Sequence, residues 1–170
     1  MKKLIGLIII FIFIIGCESE SASRNTANVN IAGNYVLTSL IANTPVDFNQ
    51  DGVSHTELLI EATCFSSMDV DFMVNGDFFA TVAEPDFDTN NNLSCLISSQ
   101  SGTYSLDANS VLTIIANVNG GTITENKAVT FTPTTFEFTI TGQDLNQYVG
   151  GRTGTPAAPI TSLDAIYTKI

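Results

Sequence analysis

The stretch Ser67–Val74, SMDVDFMV, runs through Asn75-Gly76 into Asp77–Ala83, DFFATVA, and its reading decides the fold. Met68, Val70, Phe72 and Val74 alternate with Asp69 and Asp71. That is the period of two by which a strand sends successive side chains to opposite faces. Asn-Gly between two such runs signals a tight type I′ hairpin turn, in which both central residues take positive φ. The spacing predicts an antiparallel pair, residues 67–74 against 77–83.

Working outward, six more runs rich in Val, Ile, Phe, Tyr and Thr follow the same rule. They are Gly33–Leu40, Ser101–Leu106, Val111–Val118, Ala128–Thr132, Phe136–Thr141 and Ser162–Ile170. Turn signals separate them at Asp107–Asn109, Asn119–Gly121 and Pro133–Thr135. Eight strands, mostly one short loop apart, predict an all-β domain: a sequential antiparallel meander that closes as an up-and-down barrel and so removes exposed edges. A β-sandwich with unclosed first and last strands is the alternative. Glu84–Ser94 reads as a polar loop, and the Gly- and Pro-rich Gly142–Thr161 as a plain surface excursion, the alternative being a segment that lies over one end of the barrel or packs outside it.

The first 30 residues stand apart from this domain. Lys2 and Lys3 precede a twelve-residue apolar run, Leu4–Ile15, and Gly16-Cys17 follow. A charged start, a short apolar run and a small residue before a cut describe an export signal too short for a comfortable membrane span. Residues 1–16 are therefore expected to be a signal peptide, 17–30 a flexible polar tether, and 31–170 the folded domain. The tetrapeptide IIGC, Ile14–Cys17, resembles a bacterial lipobox. That resemblance implies a diacylglycerol on Cys17 and a chain anchored to a membrane of the bacterial cell envelope, on the outer membrane facing the periplasm or the outside. The alternative is an ordinary signal peptide followed by an unmodified cysteine.

Seventeen acidic residues face six basic ones, two of which are Lys2 and Lys3. Such a chain repels nucleic acid and anionic lipid, so no nucleic-acid partner is expected. Cys64 and Cys95 remain as an even pair in an oxidising compartment, either bridged or as two buried thiols. Neither cysteine has a catalytic setting, since there is no C-x-x-C and His55 is the sole histidine. Paired carboxylates such as Asp69 and Asp71, or Glu84, Asp86 and Asp88, are better explained as solvated faces and loops. The chain is not expected to be an enzyme.

In order, the features resemble the lipocalin-like lipoproteins of Bacteroidetes over roughly Gly33 to Gly142. GNYVLTSL is similar to that group's opening strand, DFNQDG precedes a short TELL helix, and SGTYSLD is similar to a repeat of the opening motif. A cysteine, a strand-Gly-Phe hairpin and a second cysteine fall between. Tyr35 and Tyr104 stand where the group usually carries tryptophan. The resemblance implies an eight-stranded lipocalin-like barrel with one short helix.

Two kinds of site are expected within it. Asp47, Asn49 and Asp51 with Gly52 form a D-x-N-x-D-G run, which brings three side-chain oxygens together while Val53 offers its carbonyl. Hard oxygen donors suit a structural calcium ion, which Glu57 would close. Glu57 also completes a Ser54-x-x-Glu57 capping box for a helix over HTELLIEA, and the alternative to the calcium loop is an Asx-rich turn before a capped helix. His55 is expected to be a solvated surface residue.

Phe72, Phe78, Phe131, Phe136, Phe138 and Tyr167 fall on strands at positions that can face inward. They either fill the barrel or line a cup for a small hydrophobic ligand. A filled barrel would instead meet a glycan or another envelope protein through loops such as Glu84–Ser94.

Overall fold

A computed structural model of the chain describes residues 31–88, 90, 92–118, 120–150 and 160–170. The signal peptide, Cys17 and the tether lie outside the described residues.

The strands are β1 (Gly33–Val46), β2 (His55–Glu57), β3 (Asp69–Phe72), β4 (Asp77–Phe87), β5 (Leu93–Leu106), β6 (Val111–Val118), β7 (Gly121–Ala128), β8 (Thr130–Phe131), β9 (Thr135–Thr141) and β10 (Ser162–Lys169). One antiparallel sheet runs β7-β6-β5-β4-β3-β1-β10-β9-β8, with β2 paired to β1 beside this path. Only Val129 separates β7 from β8. The two ends of the path are thus successive parts of one strand, which pairs with β6 along Gly121–Ala128 and with β9 at Thr130 and Phe131. With β7 and β8 counted together and β2 set aside, the sheet has the eight staves expected, and it curls on itself rather than splitting into a sandwich.

Closure is local. Past the pairs Thr130–Glu137 and Phe131–Phe136, β7 and β9 share no register among the described residues, so the wall stays open along β7. The chain after β9 partly covers this gap. A 3-10 turn, Gly142–Asp144, and a π-helical turn, Asn146–Gly150, carry it to β4 on the facing wall. Leu145 and Val149 are buried there, so this part of the long Gly- and Pro-rich segment lies against the barrel interior rather than outside it.

The opening hairpin forms as expected, with Asp69–Phe72 paired to Phe78–Thr81. Its turn differs from the expectation. Met73 N–H donates to Asp77 O at 2.9 Å, leaving three residues in the loop, and Gly76 alone takes positive φ, at 91°. This is the geometry of a three-residue loop ending in a left-handed glycine, and not the two-residue type I′ turn. Tyr104 buttresses it by donating its backbone N–H to Gly76 O and its hydroxyl to Met73 O, at 2.7 and 2.6 Å.

Two other boundaries move. The polar stretch Glu84–Ser94 is mostly paired strand, since β4 and β5 stay in register from Asp77–Thr103 to Phe87–Leu93. The expected strand at Ala128 begins seven residues earlier, at Gly121. Within β5, Gly102 is needed because a Cβ there would sit 1.9 Å from Ile115 O on β6.

The core follows the inward face of each stave: Tyr35, Leu37 and Leu40 on β1, Phe72 on β3, Phe78 on β4, Phe136 and Ile140 on β9, Leu163 on β10. Between β2 and β3, a one-turn helix α1 (Leu58–Glu61) and a 3-10 turn (Thr63–Ser67) bury Leu58 and Phe65 against β1 and β4. A disulfide joins Cys64 of that turn to Cys95 of β5, with Cα atoms 5.9 Å apart.

Candidate functional site

Alternation on β9 and β10 turns Phe136, Phe138 and Tyr167 to the same interior face. Phe136 and Tyr167 are register partners, and their rings stack 4.7 Å apart at 7°. Phe138 stacks on both, at 6.1 and 6.2 Å. Edge contacts carry the cluster to Tyr35 and Phe72, and Phe72 meets Tyr104 at 4.7 Å.

Beside this cluster lies a cavity with about 130 Å³ of room for water-sized spheres. Five of the six aromatic residues expected to face a ligand line it: Phe72, Phe78, Phe136, Phe138 and Tyr167. Phe131 does not; it packs behind Phe136, with centroids 5.5 Å apart. The barrel is therefore neither wholly filled nor widely hollow. A space of this size lined mainly by hydrocarbon suits a compact apolar guest.

Sequence reasoning missed the mouth. Glu125 and Lys127 on β7, Asp144 on the 3-10 turn and Tyr148 on the π-helical turn complete the lining. Glu125 pairs across from Ile114, which also lines the cavity, so this stave offers charge on its inner side. Lys127 hydrogen-bonds Asp144 and lies 3.9 Å from Glu125, which ties the 3-10 turn to β7 where strand pairing is missing. Burial raises the Tyr148 phenol above its ordinary pKa, with Glu125, Asp144 and Glu84 adding to the shift. Burial likewise raises Tyr167 well above the ordinary value, with Tyr148 and Asp69 contributing.

The acidic loop is the hairpin connection between Val46 of β1 and His55 of β2. Asp47 accepts from the N–H groups of Asp51 and Gly52, Asn49 Oδ1 from Asp51 N–H, and Asp51 Oδ1 from Val53 N–H. Glu57 is not brought to this loop. It lies opposite Ile41 on β1, where Oε1 accepts from Leu40 N–H at 2.9 Å and from Leu59 N–H at 3.2 Å, and Oε2 from the Ser39 hydroxyl. The helix accordingly begins at Leu58 with Glu57 as its cap, and the Ser54 capping box and the longer helix over His55–Ala62 do not form. Among the described residues no three His, Cys, Asp or Glu side chains are grouped to hold a metal.

His55 is not a free surface residue. Its Nδ1 lies 2.5 Å from Oε1 of Glu61, a buried carboxylate whose other oxygen accepts from Phe48 N–H. A second concavity, of about 410 Å³, lies between Phe48–Gln50 and Asn92–Leu93. Its one buried acid is Glu61, whose partners already satisfy it.

An eight-staved antiparallel barrel with an apolar interior cavity open beside one stave defines a calyx-type β-barrel protein. The lipocalin-like domain model matches residues 31–138, and the chain belongs to that family. No curated protein and no solved structure matches the chain. The family match ends at residue 138, before Tyr148 and Tyr167.

Proposed function

We propose that this chain is a lipid-anchored protein of the bacterial cell envelope that holds a small hydrophobic ligand in its barrel and catalyses no reaction. The observation that carries the ligand reading is the apolar cavity beside Phe136, Phe138 and Tyr167, in a family whose fold is a ligand cup. A non-catalytic role is supported by the placement of the one histidine on Glu61, outside the cavity lining. The anchor rests on the lipobox-like Ile14–Cys17 behind its apolar run.

The oxygen donors of Asp47, Asn49, Asp51 and the Val53 carbonyl have the hardness that calcium favours. Glu57 fits that set poorly, because joining it would release Ser39 and Leu40. The loop is therefore proposed as a weak structural calcium site without Glu57.

Native mass spectrometry of the mature protein, purified in mild detergent from its own host, tests the ligand reading. A retained small-molecule mass supports it. A bare protein that also fails to bind a one-ring apolar probe such as toluene overturns it. Intact mass of the Cys17 peptide tests the anchor, and an unmodified cysteine there removes it.

A further inference from the structure

The four tyrosines fall into two pairs. Tyr35 and Tyr104 donate their hydroxyls to Ile31 O and Met73 O, at 3.0 and 2.6 Å. Tyr148 and Tyr167 both line the cavity, and neither hydroxyl has a hydrogen-bond partner among the described residues. Tyr167 is only 7% exposed, and its ring is clamped by Phe136 and Phe138, which fixes the direction of its hydroxyl. A buried polar group left unpaired has lost its hydrogen bonds to water without replacement. The buried Tyr167 hydroxyl and that of the half-buried Tyr148, on the same cavity, are donors placed for a guest.

The surrounding charge narrows the guest's chemistry. Asp69, Glu125 and Asp144 line the same cavity as Lys127, and Lys127 is held by Asp144. The other described cation, Lys169, donates to Ala32 O and lies over the Tyr35 ring. An anion would thus enter a net-acidic mouth in which no described cation is free to meet it. A neutral acceptor oxygen pays no such penalty. Size sets the other bound, since an engineered cavity of about 150 Å³ holds benzene.

We propose that the cavity selects an uncharged molecule about one aromatic ring in size, bearing an acceptor oxygen that the Tyr148 and Tyr167 hydroxyls grip. This rests on the barrel-ligand reading above and adds to it the chemical class of the guest.

Three near-isosteric probes separate the possibilities: ethylbenzene, acetophenone and benzoate. Each is titrated by ligand-observed NMR into the full mature protein and into the Tyr148→Phe/Tyr167→Phe double variant, which keeps both rings. Acetophenone is expected to bind the unaltered protein about twofold to tenfold more tightly than ethylbenzene, with benzoate undetected. The double variant is expected to bind ethylbenzene as before and to lose the preference for acetophenone. Equal binding of ethylbenzene and acetophenone, a preference that survives in the double variant, or tightest binding of benzoate would each overturn the tyrosine grip while the apolar cup stands. Rejection of all three probes would overturn the cup and the grip together.

Discussion

Phe136 on β9 and Tyr167 on β10 are direct cross-strand partners whose rings stack 4.7 Å apart and nearly parallel. The same Phe136 ring touches Tyr35, Phe72, Phe131 and Phe138, so one side chain joins β1, β3, β8, β9 and β10 where the sheet closes. Phe136→Ala is expected to lower unfolding free energy by about 3–5 kcal/mol, the cost of removing a buried aromatic ring. Urea unfolding followed by circular dichroism measures it. A loss below about 1 kcal/mol would mean that the cluster packs loosely.

The Cys64–Cys95 bridge ties the 3-10 turn after α1 to β5 across 31 residues of sequence. Restricting the unfolded chain over that separation is expected to stabilise the fold by roughly 3–4 kcal/mol. Cys64→Ser with Cys95→Ser should lose about that much, read as a lower denaturant midpoint. Mass spectrometry of the non-reduced protein should show the two half-cystine peptides linked, and two free thiols would remove the bridge.

Where one face of a strand is buried and the other wet, the sequence shows it plainly. Val70 and Phe72 against Asp69 and Asp71 located the central hairpin because the sheet has a core on one side there. The same logic failed for β7, GTITENKA, nearly all of which is exposed, because a stave beside the gap buries neither face. It failed again for Glu84–Phe87, where acidic residues continue β4 through backbone pairing that composition does not reveal. The aromatic face of the candidate site was legible from alternation on β9. Its mouth was not, because Tyr148 sits on a turn without periodicity, and Lys127 and Asp144 meet only through the tertiary fold. Glu57 was ambiguous by sequence because the competing partners, Ser39 and Leu40, lie on another strand.

Calcium binding and capping by Glu57 are separable in solution. Without Glu57, the loop is expected to bind calcium at about 10⁻⁴–10⁻³ M, as weak extracellular modules do. At ten times Kd such binding adds about 1.4 kcal/mol, a rise in Tm of roughly 3–5 °C for a chain of this size. Asp47→Ala with Asp51→Ala should abolish the rise. Glu57→Gln should lower the starting Tm, because Ser39 and Leu40 lose their carboxylate, while leaving the calcium response in place. A response lost with Glu57→Gln would return Glu57 to the site.

Alkaline titration reads all four tyrosines at once. Burial holds Tyr35, Tyr148 and Tyr167 above the ordinary value of 10.0, and Tyr104 is pushed up to about 12. An unfolded chain releases its phenolic protons near 10, whereas the folded chain retains them, so between these values the unfolded state binds fewer protons. Stability is then full below about pH 10 and falls as pH rises toward 12 and beyond. Phenolate absorbance should stay flat through pH 10 and rise together with loss of the far-ultraviolet strand signal. Tyr148→Phe and Tyr167→Phe should each flatten the fall in stability, because each removes a phenol whose ionisation the folded barrel opposes. Phenolate appearing near pH 10 with the strand signal intact would show that the tyrosine side of the cavity is open to water.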